Sequence, residues 1–271
     1  MSGLGLPVVM DYSPYWGNKN SGHEWNALLY KGKTLHFVGS ESDPGMDKIE
    51  FTRSYLLRRK RPKIFRRTFA IQKNSLAFLA DSTVAIPPVF ANTHMKDVTP
   101  DYLPVTDVSV WLNHEQPNQK FAYLCVFNNN KWEPVFWAGI DWLGRAKFKA
   151  MGRDILYMPM YYTGGLLTPA GDPFILDKNG GKLTVEPLPE HTERIVIKKK
   201  YPEDNSNFIV KGDNYELFYW NNKWISLGKT AAAADSLVYT NAPRQSLLWA
   251  RDLDRGEQER IFTYNNGQVW W

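Results

Sequence analysis

His23, Trp25 and the acids Glu41 and Asp43 are the residues whose types and spacing could do chemistry. They fall in PVVMDYSPYWGNKNSGHEWNALLYKGKTLHFVGSESD, from Pro7 to Asp43. A histidine entering a strand, a tryptophan two residues on and an acid one hairpin later match the base and orienting part of a cysteine acyl-transfer triad. Such a site also needs a thiolate. The chain has one cysteine, Cys125, inside FAYLCVF, a continuous apolar run that predicts a buried strand. Cysteine there behaves as a small hydrophobe, and no helix N-terminus or adjacent cation is visible to lower its pKa. The residues therefore read as a base, His23, with no nucleophile. Glu41 or Asp43 is the candidate orienter, although both also suit a turn before Pro44-Gly45. Asp11, Tyr15, Trp16 and Trp25 are the candidate cleft walls, with Asp11 equally able to cap the turn.

The elements that must position these residues are short strands and tight turns. Leu6 to Met10 is an apolar β run, and Pro14, Gly17, Asn18, Asn20 and Gly22 punctuate the loop after it. Trp25 to Tyr30 resumes as a strand, Lys31-Gly32-Lys33 turns, and Leu35 to Val38 returns. His23 then sits at a strand entrance beside a loop, where a polar side chain can face a cleft.

GLPVVMDYSPYWGNKNSGHEWNALL resembles the second half of the transglutaminase-like core in large proteins of Bacteroidetes-type bacteria. The chain from PKIFRRTF to RIFTYNNGQVWW is similar to the non-catalytic portion of such proteins, so the likeness covers most of the sequence. In that papain-like superfamily a cysteine on a helix N-terminus precedes two strands carrying a histidine and an aspartate. The resemblance implies that His23 holds the base position and Trp25 that of a structural aromatic. It also implies that the nucleophile belongs upstream of Leu6, and that the third member falls on Val38, where no acid stands. MSGLGLPVVMDYSP lacks the basic start and long apolar run of a signal peptide and reads as a chain opened in mid-domain. The parent family is implied to be exported, to the periplasm or cell surface. A truncated, inactive transglutaminase-like protein is the first expectation. A cysteine acyltransferase or protease-like hydrolase, completed by an upstream Cys-bearing segment, is the alternative.

Composition narrows the partners. One cysteine in 271 residues excludes an internal disulfide framework and a Cys-rich zinc site. No segment approaches the roughly 18 consecutive apolar residues of a membrane span. The net charge of +5 is local, because Arg53 to Arg67 (RSYLLRRKRPKIFRR) contains only basic charges. That stretch reads as a solvated helix face and a strand, with Tyr55, Leu56, Ile64, Phe65 and Phe69 as the buried side. It lacks the interleaved aromatics of a nucleic-acid groove. HEW is not HExxH, His36, His94, His114 and His191 show no ligand spacing, and the glycines form no phosphate or dinucleotide fingerprint, so neither metal nor cofactor is expected.

After Leu103 the chain repeats itself. Asn129-Asn130-Lys131-Trp132 recurs as Asn221-Asn222-Lys223-Trp224, and at the same spacing Tyr123 matches Tyr215 and Ile155-Leu156-Tyr157 matches Leu247-Leu248-Trp249. Phe174 matches Phe262 after a short gap, and Cys125 falls opposite Leu217. The expected fold is mainly β: a partial transglutaminase-like (papain-like α+β) core over 1–50, a basic connecting segment over 51–100, and antiparallel β-sandwich-like domains over 101–188 and 189–271. Eleven tryptophans invite a carbohydrate-binding reading, with Trp137, Trp142 and Trp220 as candidates to stack on sugars. Packing is the other use, and Trp132 and Trp224, recurring in both copies, point to a shared structural task. A protein ligand or a domain interface would use the same surfaces.

Overall fold

The computed structural model describes residues 5–37, 39, 44, 59–113, 119–198, 209–256 and 259–271. Val38, Glu41, Asp43, Tyr55, Leu56, His114 and the Arg53 to Arg58 part of the basic stretch lie outside the described residues. The fold is mainly β, with a single α-helical turn, α1 (Leu76–Leu79), among the described residues.

Strands β1 (Val8–Ser13), β2 (His23–Tyr30) and β3 (Lys33–Phe37) form an antiparallel meander. The β2–β3 turn is two residues long, and Lys31 and Gly32 both take the left-handed conformation (φ 48° and 73°) that such a turn demands. On the other side of β1 lie β4 (Phe65–Arg67) and then β5 (Met95–Asp97), giving the order β3-β2-β1-β4-β5. Residues from both sides of the boundary expected at position 50 thus share one sheet. The end of the basic stretch, Phe65–Arg67, is a strand of that sheet.

The remaining strands form two units of one topology. The first comprises β6 (Val105–Trp111), β7 (Phe121–Asn128), β8 (Lys131–Gly139), β9 (Arg145–Gly152), β10 (Ile155–Thr163), β11 (Leu166–Pro169), β12 (Phe174–Leu176) and β13 (Lys182–Thr184). Its main sheet runs β13-β12-β10-β7-β8 with β11 on β10, and β6 pairs β9 as a separate ribbon. The second comprises β14 (Leu188–Lys198), β15 (Asn214–Trp220), β16 (Trp224–Ala231), β17 (Ser236–Arg244), β18 (Leu247–Asp252), β19 (Ile261–Tyr264) and β20 (Gln268–Trp270). Its sheet runs β20-β19-β18-β15-β16, with β14–β17 as the ribbon. In each unit apolar side chains of ribbon and sheet meet in one cluster, around Phe148 and Phe174 in the first and Tyr215 and Phe262 in the second.

The two units share one strand order, and the ladders β7–β10 and β15–β18 keep the same spacing, but the hairpins do not and the side-chain faces differ. The first NNKW hairpin closes at Asn128 opposite Lys131, with Asn129 and Asn130 left-handed (φ 48° and 63°). The second closes at Trp220 opposite Trp224, so its turn has three residues and the return strand starts at the tryptophan, one motif position later than in the first; Trp132 pairs with Phe127, five residues back, and Trp224 with Trp220, four back. One step in a strand reverses every side chain. Leu217 therefore faces the inner core, as Leu124 does, while Cys125 faces outward with Met158 and Phe127. The expected pairing of Cys125 with Leu217 is corrected: by face, Phe218 is its counterpart.

Strand β7 is buried on both sides, which explains the unbroken run FAYLCVF. Ala122, Leu124 and Val126 enter the first unit's core. Tyr123, Cys125 and Phe127 enter a second cluster shared with Phe65 and Phe90 of the N-terminal part and with Trp220 and Trp249 of the second unit. At the rim of that shared core Arg260 ties three parts of the chain together. Its buried guanidinium donates to the carbonyls of Trp271 (2.7 Å), Phe127 and Gly17 (3.3 Å) and to Asn20 Oδ1 (3.1 Å). Asn128 adds a reciprocal pair with the Ser21 backbone at 3.2 Å each way. Gly152 N–H donates to Pro62 O (3.0 Å), an approach so close that a Cβ there would lie 2.0 Å from Arg61 O.

Replacing Arg260 with methionine leaves those acceptors buried and unmatched. We expect Arg260→Met to lower unfolding free energy by about 3 kcal/mol, read from urea denaturation by tryptophan fluorescence. A loss below about 1 kcal/mol would contradict the structural role assigned to the guanidinium.

Candidate functional site

His23 opens β2 opposite Ser13 and is half-buried. Its ring lies between Trp16 (centroids 6.3 Å apart) and Trp25 (6.2 Å, interplanar angle 25°). Trp16 and Trp25 are themselves buried, packing with Ile64 and Val98. Trp25 Nε1 donates to the Tyr102 hydroxyl at 3.0 Å, which donates to Asp11 Oδ2 at 2.6 Å. Asp11 is fully buried and accepts both arms of the Arg66 fork, at 2.8 and 2.7 Å. Arg66 also donates to Thr34 Oγ1 at 3.2 Å. One charged network thus joins β1, β2, β3 and β4, and Asp11 serves it as counter-ion to Arg66. Burial, then the Asp11 carboxylate, pushes the Tyr102 phenol far above its ordinary pKa, which keeps it a donor.

Cys125 belongs to another sheet, opposite Met158 of β10 and Pro134 of β8. It is fully buried, and burial followed by the charge of Glu133 pushes the thiol well above its ordinary range. A thiolate, the species that attacks an acyl carbon, is disfavoured there. Among the described residues no three His, Cys, Asp or Glu side chains gather as metal ligands.

Beyond Trp16, the loop between β1 and β2 also docks on the repeat units and on the chain around Lys60. Gly17 and Asn20 hold Arg260, Ser21 holds Asn128, and Asn18 Oδ1 accepts from Lys60 N–H at 2.8 Å. Tyr15 reaches beyond it to Glu133. Burial, then Glu133, raises its phenol to about 12.

Tyr15 and Glu133 line a groove of about 630 Å³ at the junction of the two units. Rings of Trp132, Tyr162 and Trp224 also face it, and Met160 and Leu167 supply aliphatic wall. Its acid is compensated: Lys131 Nζ sits 2.7 Å from Glu133 Oε1. Two groove residues carry buried polar atoms without a hydrogen-bond partner, Trp132 Nε1 and Asn130 Oδ1. Trp132 packs edge-to-face on Phe127 (5.3 Å, 77°) and Trp220 (6.0 Å, 78°), and Trp224 on Trp220 (5.1 Å, 78°). The recurring tryptophans are therefore both interface and groove wall.

The sugar-stacking candidates separate by exposure. Trp220 is 6% exposed inside the aromatic cluster, so its faces are covered. Trp137 is half-buried against Phe121 (5.6 Å, 87°). Trp142 is 90% exposed on a turn held by Asp141, whose carboxylate accepts from the N–H groups of Leu143 and Arg145 at 2.9 Å each. Sequence reasoning missed Asn130, Glu133 and Tyr162. The repeated hairpin pointed to the neighbourhood of the first two, whereas Tyr162 comes from a distant strand and left no local signal.

The described basic residues are largely engaged within the fold. Lys63 is fully buried, paired with Asp97 and donating to the carbonyls of Lys149 (2.8 Å) and Ala150 (3.0 Å). Lys60 pairs with Asp154 at 3.0 Å and stands over the Trp271 ring. Neither matches the solvated face expected for this stretch. No protein family, curated protein or solved structure compared with this chain matches it.

The thiol of Cys125 should resist an aromatic disulfide reagent in the native protein and react fully once denaturant unfolds it; rapid native labelling would overturn its burial. Burial lowers the Lys63 pKa from 10.5 to about 8 despite Asp97. Between those values the unfolded chain holds more protons, so this contribution to stability is complete above 10.5 and lost as pH falls through 8. Relative to Lys63→Met, the native protein should gain roughly 2 kcal/mol between pH values of about 7.5 and 9.5 in denaturation curves. Parallel pH profiles would contradict it.

Proposed function

We propose that this protein acts by binding rather than by thiol catalysis: a transglutaminase-like sheet, without a usable nucleophile, docked on two β-sandwich-like units whose junction holds a neutral glycan. The observation that carries the reading is the groove along the first NNKW hairpin, which Trp224 of the second hairpin also lines. It combines aromatic faces, which suit the C–H faces of sugar rings, with buried polar atoms that lack partners and a charge pair that cancels. Leaving such atoms unmatched costs about 1–3 kcal/mol each, which a ligand recovers on binding.

The buried, protonated Cys125 supports the absence of acyl transfer, and His23, lodged between two buried indoles, is read as a structural remnant of a base. Among the described residues no helix is long and apolar enough to cross a membrane.

Titrating the protein with neutral oligosaccharides should give a saturable change in tryptophan fluorescence. Tyr162→Ala should weaken binding about tenfold, and Trp142→Ala should leave it unchanged. Loss of binding in Trp142→Ala with Tyr162→Ala unaffected would move the site to the exposed turn. No response to any neutral glycan would refute the binding reading.

A further inference from the structure

Resting on the glycan reading of the groove, we propose that its specific ligand group is the acetamido substituent of an N-acetylated hexosamine. Trp132 Nε1 can only donate a hydrogen bond, and Asn130 Oδ1 can only accept one. Both atoms are buried and partnerless, both residues line the same cavity, and both belong to one hairpin end: Asn130 in the turn, Trp132 second in β8. The left-handed Asn130 backbone (φ 63°), in a two-residue turn anchored by Asn128, fixes that end in place.

A ligand group that satisfies both atoms must accept from one and donate to the other. A secondary amide does so through a rigid plane, with C=O receiving the indole N–H and N–H directed to Asn130. Its methyl has an aliphatic wall to meet in Met160 and Leu167. The pyranose ring carrying it has Trp224 and Tyr162 to stack on. The charge pattern points the same way. Lys131 and Glu133 pair on the groove wall, so the wall presents neither sign of charge in excess, and an acetylated amine is neutral. A peptide amide offers the same two atoms but not the ring that the aromatic walls accommodate.

The test is calorimetric titration with chitotetraose, cellotetraose and an acetyl-capped tetrapeptide. The two sugars share the β-1,4 linkage and differ at C2, where one has an acetamide and the other a hydroxyl. Chitotetraose should bind at least about tenfold tighter than cellotetraose, and the peptide more weakly than either. Trp132→Phe keeps the packing and removes the donor; Asn130→Gly suits the turn and removes the acceptor. Each should cut chitotetraose affinity about tenfold and narrow the preference for chitotetraose over cellotetraose, with near-ultraviolet circular dichroism matching the parent. Equal binding of the two sugars would overturn the acetamide assignment while leaving the glycan reading intact. Preferential peptide binding, or no sugar binding at all, would overturn both.

Discussion

The Arg260 guanidinium is the constraint on which the rest of the molecule depends. It is buried at the start of β19, and its donors reach the C-terminal carbonyl, the end of β7 and the loop between β1 and β2. A buried arginine without partners would be strongly destabilising, so these acceptors and the cation hold one another in place. The consequence is geometric. The loop from Pro14 to Gly22 is pinned against the first NNKW hairpin, and the second unit is pinned beside it. The groove exists because these pieces meet there.

Positive charge inside the fold has the same role elsewhere. Arg66 locks four strands through Asp11, and Lys63 joins the N-terminal sheet to the backbone of β9. Both come from a stretch that gives the chain its excess of basic residues. Its described cations are used against carboxylates, carbonyls and aromatic rings of the same molecule, so net charge here is a poor guide to a partner. The energetic case is mixed, since a buried ion pair gains little over an apolar substitute of equal shape. Its clearer contribution is specificity: the wrong docking of either unit would strand a charge.

Strand pattern and repeat were legible in the sequence because both are local. FAYLCVF announced a strand buried on both faces, the Lys31-Gly32 turn announced a hairpin, and the recurrence of NNKW announced two units that prove to share one strand order. What was not legible is what depends on a single residue of register or on distant pairing. A one-residue difference between the hairpins turned the apparent Cys125–Leu217 equivalence onto opposite faces. Lysine and arginine ordinarily sit in water, so nothing in RPKIFRR marked Lys63 and Arg66 as buried. The groove draws Tyr15, Trp132, Tyr162 and Trp224 from four separate segments. The acids Glu41 and Asp43, and Val38 at the position where the resemblance placed a triad member, fall outside the described residues.

His23 keeps a place at a strand entrance, but its surroundings are indoles, and the nearby buried acid answers to Arg66. The most direct measurement is a nitrogen-15 correlation spectrum of the indole N–H groups during titration with chitotetraose, with Trp132 and Trp142 assigned by substitution. If the groove is the binding site, the Trp132 resonance shifts on saturation and that of Trp142 stays. Movement of Trp142 with Trp132 unchanged would contradict it.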